Sequence, residues 1–344
     1  MTRLARLPIP IREPVLTPRV GELLEMLTYM RPAGSNAEEA FIRRYLDPLG
    51  TIPDEYGNHW LTIGDAPILW SSHTDTVHKN SGKQRITYGD GVVTVEVPSN
   101  CLGADCTVGV WIMRQMILAN VPGTYVFHRA EEIGGLGSTY IANETPERLD
   151  GILYAIAFDR AGTTDIVTHQ MSDKLVSDTF VDSLEDVLLP LRYFPTPGVF
   201  TDTAMYGGLI PECTNLSVGY HSQHTSREWQ DVDHAEDLLD RVLAADWSRL
   251  TAARDPADAY VESFSATSPW DHFGEGARTF GKRSSKRDPD PWGNTPASLV
   301  RYVRDNPKLV ADYLHYTGTT IHDIEPTQDY LNADNDPYAA QEDY

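Results

Sequence analysis

Cysteine is scarce in this sequence of 344 residues, and long apolar runs are missing. The three cysteines are Cys101, Cys106 and Cys213, and none belongs to a C-x-x-C motif, so a disulfide framework is not expected. No stretch approaches the roughly 18 apolar residues that a membrane span requires. Residues 1–14 contain three arginines but no apolar run of signal-peptide length. We therefore predict a cytoplasmic protein with no membrane partner.

Basic residues are also few, since 28 Lys and Arg stand against 50 Asp and Glu and give a net charge of −22. This charge repels phosphate and so argues against nucleic acid as a partner. It suits a site that binds cations, although composition alone favours a soluble acidic protein without such a site. The hydrophobic fraction of 41% is that of a folded globular chain.

Short apolar runs alternate with helical patterns along most of the chain. Runs bounded by Gly, Pro, Asn or Asp predict strands over 60–63, 66–71, 92–97, 124–128, 152–158 and 165–168. Apolar residues at helical spacing, with a capping box beginning at Ser35, predict helices over 21–29, 35–46, 108–119, 137–143, 173–189 and 235–250. The alternation predicts an α/β fold, a three-layer sandwich whose mixed, largely parallel central sheet is flanked by helices.

The composition changes after about residue 252. Segment 265–293 is rich in Ser, Gly, Asp, Arg and Trp without a period, which is typical of a linker or an extended wrap. Segment 323–344 contains seven acidic residues and no Lys or Arg. We predict a main domain over 15–252, a C-terminal extension with short helices over 253–322, and an acidic flexible tail over 323–344.

Polar residues follow several of the predicted strands. His73 and Asp75 come after one, Glu131 and Glu132 after another, and Asp159 after a third. A histidine at a strand end can bind a metal while its second nitrogen donates to a carboxylate. Two adjacent carboxylates can divide the work, because one can bind metal while the other moves protons.

Each of these features also has an ordinary structural explanation. Asp105, in a tight turn between Gly103 and Gly109, could cap the following helix. The paired glutamates could be solvated at a helix N-terminus, and Asp159 could begin a turn. As a set, however, nitrogen and oxygen ligands without thiolate suit a pair of divalent ions such as zinc, cobalt or manganese. A carboxylate that bridges two such ions is a common device for hydrolysis.

The ordered motifs resemble those of the co-catalytic metallopeptidases of the M20/M28 type (clan MH), which include tripeptidase T-like and leucyl-aminopeptidase-like enzymes. The matching motifs are His73-x-Asp75, Gly103-Ala104-Asp105, Glu131-Glu132-Ile133-Gly134, Asp159 and His224-x-x-x-Glu228. Segments 54–58 and 201–204 match beside them, and the resemblance covers about residues 18–250. Only about forty residues separate Asp159 from Asp202, too few for the lid domain of M20 enzymes, so the compact M28-like or tripeptidase T-like form is expected.

The resemblance implies a di-metal hydrolase domain over 15–252 with two divalent ions, zinc by preference and cobalt or manganese as alternatives. The implied metal ligands are His73, Asp105, Glu132, Asp159 and His224, and the implied catalytic residues are Asp75 and Glu131. His73 and Asp159 would hold one ion, and Asp105 would bridge it to the ion of Glu132 and His224. Asp75 would orient His73. Glu131 would be the general base that passes a proton from the metal-bridging water to the leaving amine.

The sequence departs from the family pattern at one position and is ambiguous at another. Cys106 stands where the family usually has a second Asp, and it could modulate the site or react with a metal or an oxidant. The last motif offers both His221 and His224, and the family spacing to Glu228 selects His224.

These observations favour an aminopeptidase that acts on short peptides and could form a homo-oligomer. An N-acyl amino acid deacylase with the same metals is the first alternative. A binding or scaffold relative that has lost its metals is the second, and a hydrolase with Cys106 as nucleophile is a weaker third. Candidates for substrate binding are Arg160, Asp202 and Tyr220.

Overall fold

The computed structural model describes residues 16–171 and 173–257. In this part of the chain the α-helices are α1 Pro18–Met26, α2 Asn36–Tyr45, α3 Ala104–Leu118, α4 Leu136–Glu144, α5 Asp178–Leu188 and α6 Val232–Ala244. Short 3-10 helices cover Asp47–Leu49, Pro146–Leu149, Asp202–Tyr206 and Trp247–Arg249. The Ser35 hydroxyl accepts the backbone N–H of Glu38, so the predicted cap does begin α2.

The strands of the same residues are mostly short. They are β1 Tyr29–Met30, β2 Ile52–Pro53, β3 His59–Ile63, β4 Ile68–His73, β5 Gly82–Lys83, β6 Ile86–Gly89, β7 Val92–Val95, β8 Gly123–His128, β9 Tyr154–Arg160, β10 Asp165–Gln170, β11 Asp173–Lys174, β12 Phe194–Pro197, β13 Glu212–Ser217, β14 Tyr220–His221 and β15 Trp229–Asp231.

A nine-stranded mixed sheet forms the centre of the fold. Its order is β11-β10-β13-β9-β4-β8-β3-β2, and β12 pairs with β10 beside this path. The four central strands, β13, β9, β4 and β8, are mutually parallel. Strands β3 and β10, which flank them, are antiparallel to their inner neighbours. The predicted mixed, largely parallel sheet is therefore confirmed.

Side chains of the central strands alternate between two cores. Trp70 of β4 packs in a large core with residues of α1, α2, α3, α5 and α6. Leu69 points to the other face, where it joins a smaller core with Ile141 of α4 and Tyr206. Helices thus cover both faces of the sheet, which confirms the three-layer arrangement.

The sheet topology creates a crevice at the carboxyl ends of the central strands. The chain passes from β4 to β8 on one side and then to β9 on the other, so β4 lies between them. Such a switch point is where open α/β sheets bind ligands. Gly109 lets α3 approach this edge, because a Cβ there would lie 2.1 Å from the Phe158 carbonyl oxygen.

A separate antiparallel sheet, in the order β14-β15-β7-β6, borders this crevice and carries the loop 222–228 between β14 and β15. Three predicted helix limits were wrong. The helix predicted over 21–29 is α1, which ends at Met26, and Tyr29 begins β1. Residues 173–174 form β11, which pairs with β10, so the helix predicted over 173–189 begins at Asp178. The helix predicted over 235–250 is α6, which ends at Ala244.

The C-terminal extension predicted over 253–322 lies outside the described residues except for 253–257, and so does the whole tail predicted over 323–344. Among the residues that are described, no helix is long and apolar enough to cross a membrane.

Candidate metal centre

Five elements bring the predicted ligands to one place. His73 ends β4, Asp159 lies near the end of β9, and Glu132 follows β8. Asp105 lies at the start of α3, and His224 lies in the loop 222–228. The Asp105 carboxylate stands between the two histidines, because its Oδ1 is 3.1 Å from Nε2 of His73 and its Oδ2 is 3.1 Å from Nε2 of His224.

The remaining carboxylates divide between the two histidines. Asp159 Oδ1 is 3.4 Å and Glu131 Oε2 is 3.9 Å from Nε2 of His73. Glu132 Oε2 is 3.2 Å from Nε2 of His224. The residues therefore form two adjacent groups that share the Asp105 carboxylate.

Asp75 connects the end of β4 to the loop after β8. Its Oδ1 and Oδ2 accept the backbone N–H groups of Glu131 and Glu132, each at 3.1 Å. Nδ1 of His73 lies 3.1 Å from the Asp75 carbonyl oxygen and 3.5 Å from its Oδ1. Since both neighbours are acceptors, Nδ1 carries a proton and Nε2 faces the other ligands.

Burial and crowding of like charges dominate the electrostatics. Burial raises the pKa of Glu131 well above its ordinary value, and it raises the pKa of Glu132 to about 7. Burial disfavours the charged form of His224, but hydrogen bonds to Asp105 and Glu132 outweigh it and raise its pKa to about 12. Burial also disfavours the charged form of His73, but the negative charge of Asp159 and a hydrogen bond to Asp105 outweigh it and raise the pKa of His73 well above its ordinary value.

The donor set fits divalent cations. Carboxylate and imidazole groups are ligands of zinc, cobalt and manganese. Glu132 Oε1 is buried and accepts no hydrogen bond from the described residues. Ligand atoms of His73, Asp105 and Glu132 all lie within 4.8 Å of one another.

Cys106 also lies beside the predicted ligands. Its Sγ is within 4.8 Å of the ligand atoms of His73 and Asp159, and it donates to the Phe158 carbonyl oxygen at 3.1 Å. Burial raises the pKa of the thiol well above its ordinary value. Cys106 was not among the ligands predicted from the sequence.

Asp105 does not cap α3, although capping was the alternative to metal binding that the sequence left open for this residue. Gly103 occupies the cap position with φ 72°, where a Cβ would lie 2.7 Å from Cε1 of His78. The Asp105 backbone is not helical, with φ −75° and ψ 106°, and the Asp105–Cys106 peptide bond is cis. The contacts of its two carboxylate oxygens show that the side chain is directed at the two histidines rather than at the helix start.

Of the two histidines in the last motif, the structure brings His224 to Asp105. The ring of His221 instead stacks on Trp229 with a centroid distance of 4.0 Å. His224 has φ 63°, in the left-handed region that non-glycine residues seldom adopt.

The three candidates for substrate binding occupy different surroundings. The Tyr220 hydroxyl is buried and donates to the Asp159 carbonyl oxygen at 3.0 Å. Arg160 forms an ion pair with Asp165 at 3.0 Å. Asp202 is fully buried, and neither of its carboxylate oxygens accepts a hydrogen bond from the described residues.

Some residues that support the site were missed. The Thr201 hydroxyl donates to Asp159 Oδ2 at 2.7 Å, and the Asn215 amide bonds both the N–H and the carbonyl of Asp159. Thr201 belongs to segment 201–204, which resembles the family, so that segment could have indicated a role for Thr201 near the site. Nothing in the sequence around Asn215 indicates its contact with Asp159.

No known protein family and no curated protein sequence matches this chain. Among solved structures, it is similar to aminopeptidase PepT from Bacillus cereus ATCC 10987, with a TM-score of 0.55, 16% identity, and 66% of this chain and 96% of that one covered. A tripeptidase from Staphylococcus aureus subsp. aureus Mu50 is similar with a TM-score of 0.52 and 14% identity, and the match covers 65% of this chain and 96% of that one. The TET1 peptidase of Pyrococcus horikoshii is similar with a TM-score of 0.51 and 15% identity, and the match covers 66% of this chain and 98% of that one.

This chain shares the α/β fold of these peptidases. At such low identities the likeness concerns the fold alone. It does not separate the M20 from the M28 type, so the more specific family remains a prediction.

Proposed function

We propose that this protein is a metal-dependent amide hydrolase, an aminopeptidase that acts on short peptides. The observation that carries the proposal is the Asp105 carboxylate, whose two oxygens each face a different histidine, with Glu131 beside His73. The fold shared with aminopeptidases supports the same activity.

Two divalent ions fit the donor set. His73 and Asp159 would hold one, Glu132 and His224 would hold the other, and Asp105 would contact both. When bound, such ions lower the pKa of a water molecule and polarise the substrate carbonyl. Zinc is the preferred metal of the proposal because the ligands combine imidazole with carboxylate.

The chain's own residues would manage the proton and the alignment. Glu131 would accept a proton from the attacking water and deliver it to the leaving amine. Asp75 would hold Glu131 and Glu132 in place through their backbone N–H groups, since its carboxylate accepts both. A peptide's protonated N-terminus is attracted by the excess of carboxylates around the site.

The alternatives of the sequence analysis keep distinct signatures. A deacylase would use the same centre on N-acyl amino acids, and a scaffold relative would lack ligands or the base. All five predicted ligands and Glu131 lie close together, which favours an enzyme over the scaffold. The TET1 peptidase, which is similar in fold, can assemble into a tetrahedron or a large octahedral shell, and this supports the proposal of a homo-oligomer.

The test is metal content together with Glu131→Gln. We expect about two zinc ions per chain by elemental mass spectrometry after zinc loading and dialysis. We expect hydrolysis of aminoacyl amides in preference to N-acyl amino acids, and a decrease in kcat of about 100-fold or more in the variant, which should keep its metal. The matched control is Glu147→Gln, an exposed glutamate of the 3-10 helix at Pro146–Leu149.

Several results would contradict the proposal. A wild-type protein that binds no metal would support the scaffold. A preference for N-acyl amino acids would select the deacylase. Full activity of Glu131→Gln would show that another group moves the proton.

A further inference from the structure

Glu228 belongs to the last motif, yet the proposed chemistry gives it no role. Its side chain is almost fully buried, with 1% of the residue exposed. The backbone N–H groups of Leu102 and Gly103 donate to its Oε2 at 2.9 and 3.0 Å. Those of Ala104 and Asp105 donate to its Oε1 at 2.8 and 3.3 Å. One carboxylate thus binds four consecutive amides.

These four amides belong to the turn that presents Asp105. Amides at the start of a helix have no partner within the helix, and they lie at the positive end of its dipole. The backbone at Asp105 is not helical, so helical hydrogen bonds do not fix its position. The Glu228 carboxylate instead supplies the acceptor for these four buried N–H groups.

Glu228 also lies in the loop that carries His224. The two residues are four positions apart, whereas Asp105 and His224 are 119 positions apart and touch at 3.1 Å. The contact between these two ligands therefore joins distant parts of the chain. Within the described residues, the Glu228 side chain is a direct link between the turn at 102–105 and the loop 222–228.

We propose that Glu228 is a positioning residue, which holds the turn of Asp105 against the loop of His224 and thereby sets the affinity of the site for the ion that Glu132 and His224 would hold. This inference rests on the proposed function for its metal but on the hydrogen bonds alone for its geometry. The other ion, which His73 and Asp159 would hold together with Asp105, would depend less on Glu228, because two of its three ligands lie on the paired strands β4 and β9.

The chain offers a matched control in Glu212. This glutamate is also fully buried, and it also accepts four hydrogen bonds. The donors are the N–H and hydroxyl of Ser177 at 2.7 and 2.8 Å and the N–H groups of Ala253 and Arg254 at 2.8 and 3.0 Å. Glu212 begins β13, so it lies at the end of the sheet opposite the carboxyl edge. Loss of its charge should affect stability without affecting the metal.

The experiment compares wild type, Glu228→Gln, Glu228→Asp and Glu212→Gln. Amide hydrogen exchange of the metal-free proteins reports the turn at 102–105, and thermal unfolding reports overall stability. Co²⁺ titration, followed by its absorption spectrum and by elemental analysis, reports each ion. Glu228→Asp keeps the charge on a shorter side chain, so it provides a folded variant if Glu228→Gln unfolds.

We expect faster exchange at 102–105 in both Glu228 variants and unchanged exchange there in Glu212→Gln. We expect one Co²⁺ to bind about tenfold or more weakly in the Glu228 variants, as for other residues that support metal ligands, and the second to change by about twofold or less. Glu212→Gln should bind both ions as wild type does, even where it unfolds at a lower temperature.

Unchanged exchange at 102–105 in a folded Glu228 variant would overturn the inference, as would wild-type affinity for both ions. An equal weakening of both ions in the Glu228 variants and in Glu212→Gln would reduce Glu228 to a general stability role and also overturn it. Absence of Co²⁺ binding to the wild type would refute the proposed function instead. The exchange data would then decide the positioning role by themselves.

Discussion

Two buried aspartates of this protein have opposite surroundings. Asp54, 8% exposed, accepts five hydrogen bonds, from the backbone N–H groups of Tyr56, Gly57 and Asn58 and from the side chains of Asn58 and Trp60. Asp202 is completely buried, and neither of its oxygens accepts a hydrogen bond within the described residues. Nδ1 of His128 lies 3.2 Å from its Oδ2 but is directed at Ser71 and Ser72.

The difference distinguishes two kinds of buried carboxylate. Asp54 is hydrogen-bonded and stabilises the fold, whereas Asp202 is buried near the site without comparable hydrogen bonds. Asp54 shapes a turn whose Asn58 binds the backbone of Arg129 and Gly137, on both sides of Glu131 and Glu132. Burial raises the pKa of Asp202 to about 8. The charge of His73 and the Ser138 side chain act to lower this pKa, whereas the negative charges of Asp159 and Asp75 act to raise it. A buried carboxylate without donors is unfavourable unless a cation compensates it.

The strongest way to break the scaffold is Asp54→Ala. It leaves several donors without a partner, and we expect a loss of about 3 kcal/mol in the free energy of unfolding. Urea unfolding measures this loss of stability, and Asp65→Ala is the control because Asp65 is exposed. A loss below about 1 kcal/mol would show that water replaces the Asp54 carboxylate at this turn.

We expect Asp202→Asn to increase the free energy of unfolding, whereas Asp54→Ala should decrease it. The pKa of Asp202 in the folded state, about 8, exceeds the ordinary 3.8, so the folded state holds its proton more firmly. The contribution of Asp202 therefore becomes less favourable as pH rises from about 4 to about 8. In the metal-free protein we expect Asp202→Asn to be more stable than wild type by about 2 kcal/mol at pH 8.

The measurement is urea unfolding of both metal-free proteins at several values between pH 5 and pH 8. The stability difference should grow with pH. A difference that is constant across this range would mean that Asp202 titrates normally in the folded protein, and the contrast with Asp54 would then fail.

Thr201→Val gives the smallest expected effect and sharpens the comparison within the site. It removes the hydroxyl that donates to Asp159 Oδ2 while keeping the shape of the side chain. We expect a loss of about 1 kcal/mol in the free energy of unfolding. Thr145→Val is the control, because the buried Thr145 hydroxyl has no hydrogen-bond partner within the described residues and its removal should be neutral or stabilising.

Local patterns were sufficient for much of the fold. The apolar runs that precede His73 and Asp159 were recognisable as strands, because strands of a parallel sheet are buried on both faces and are therefore almost continuously apolar. Ser35 caps α2 because its hydroxyl accepts the backbone N–H of Glu38, whereas the Glu38 carboxylate accepts the N–H of Gly34. The helix predicted from residue 173 begins later, because residues 173–174 pair with β10, a contact that propensity does not encode.

The sequence by itself determined the residue types of the candidate site, their order and their places at strand ends, since periodicity and chemistry are properties of neighbouring residues. The tertiary structure alone decided that Asp105 meets His224, that Glu228 holds the amides of 102–105, and that Asn215 holds Asp159. It also decided which buried carboxylates find donors and which, like Asp202, do not. These outcomes depend on hydrogen bonds between segments far apart in sequence, and packing of the whole domain sets their distances.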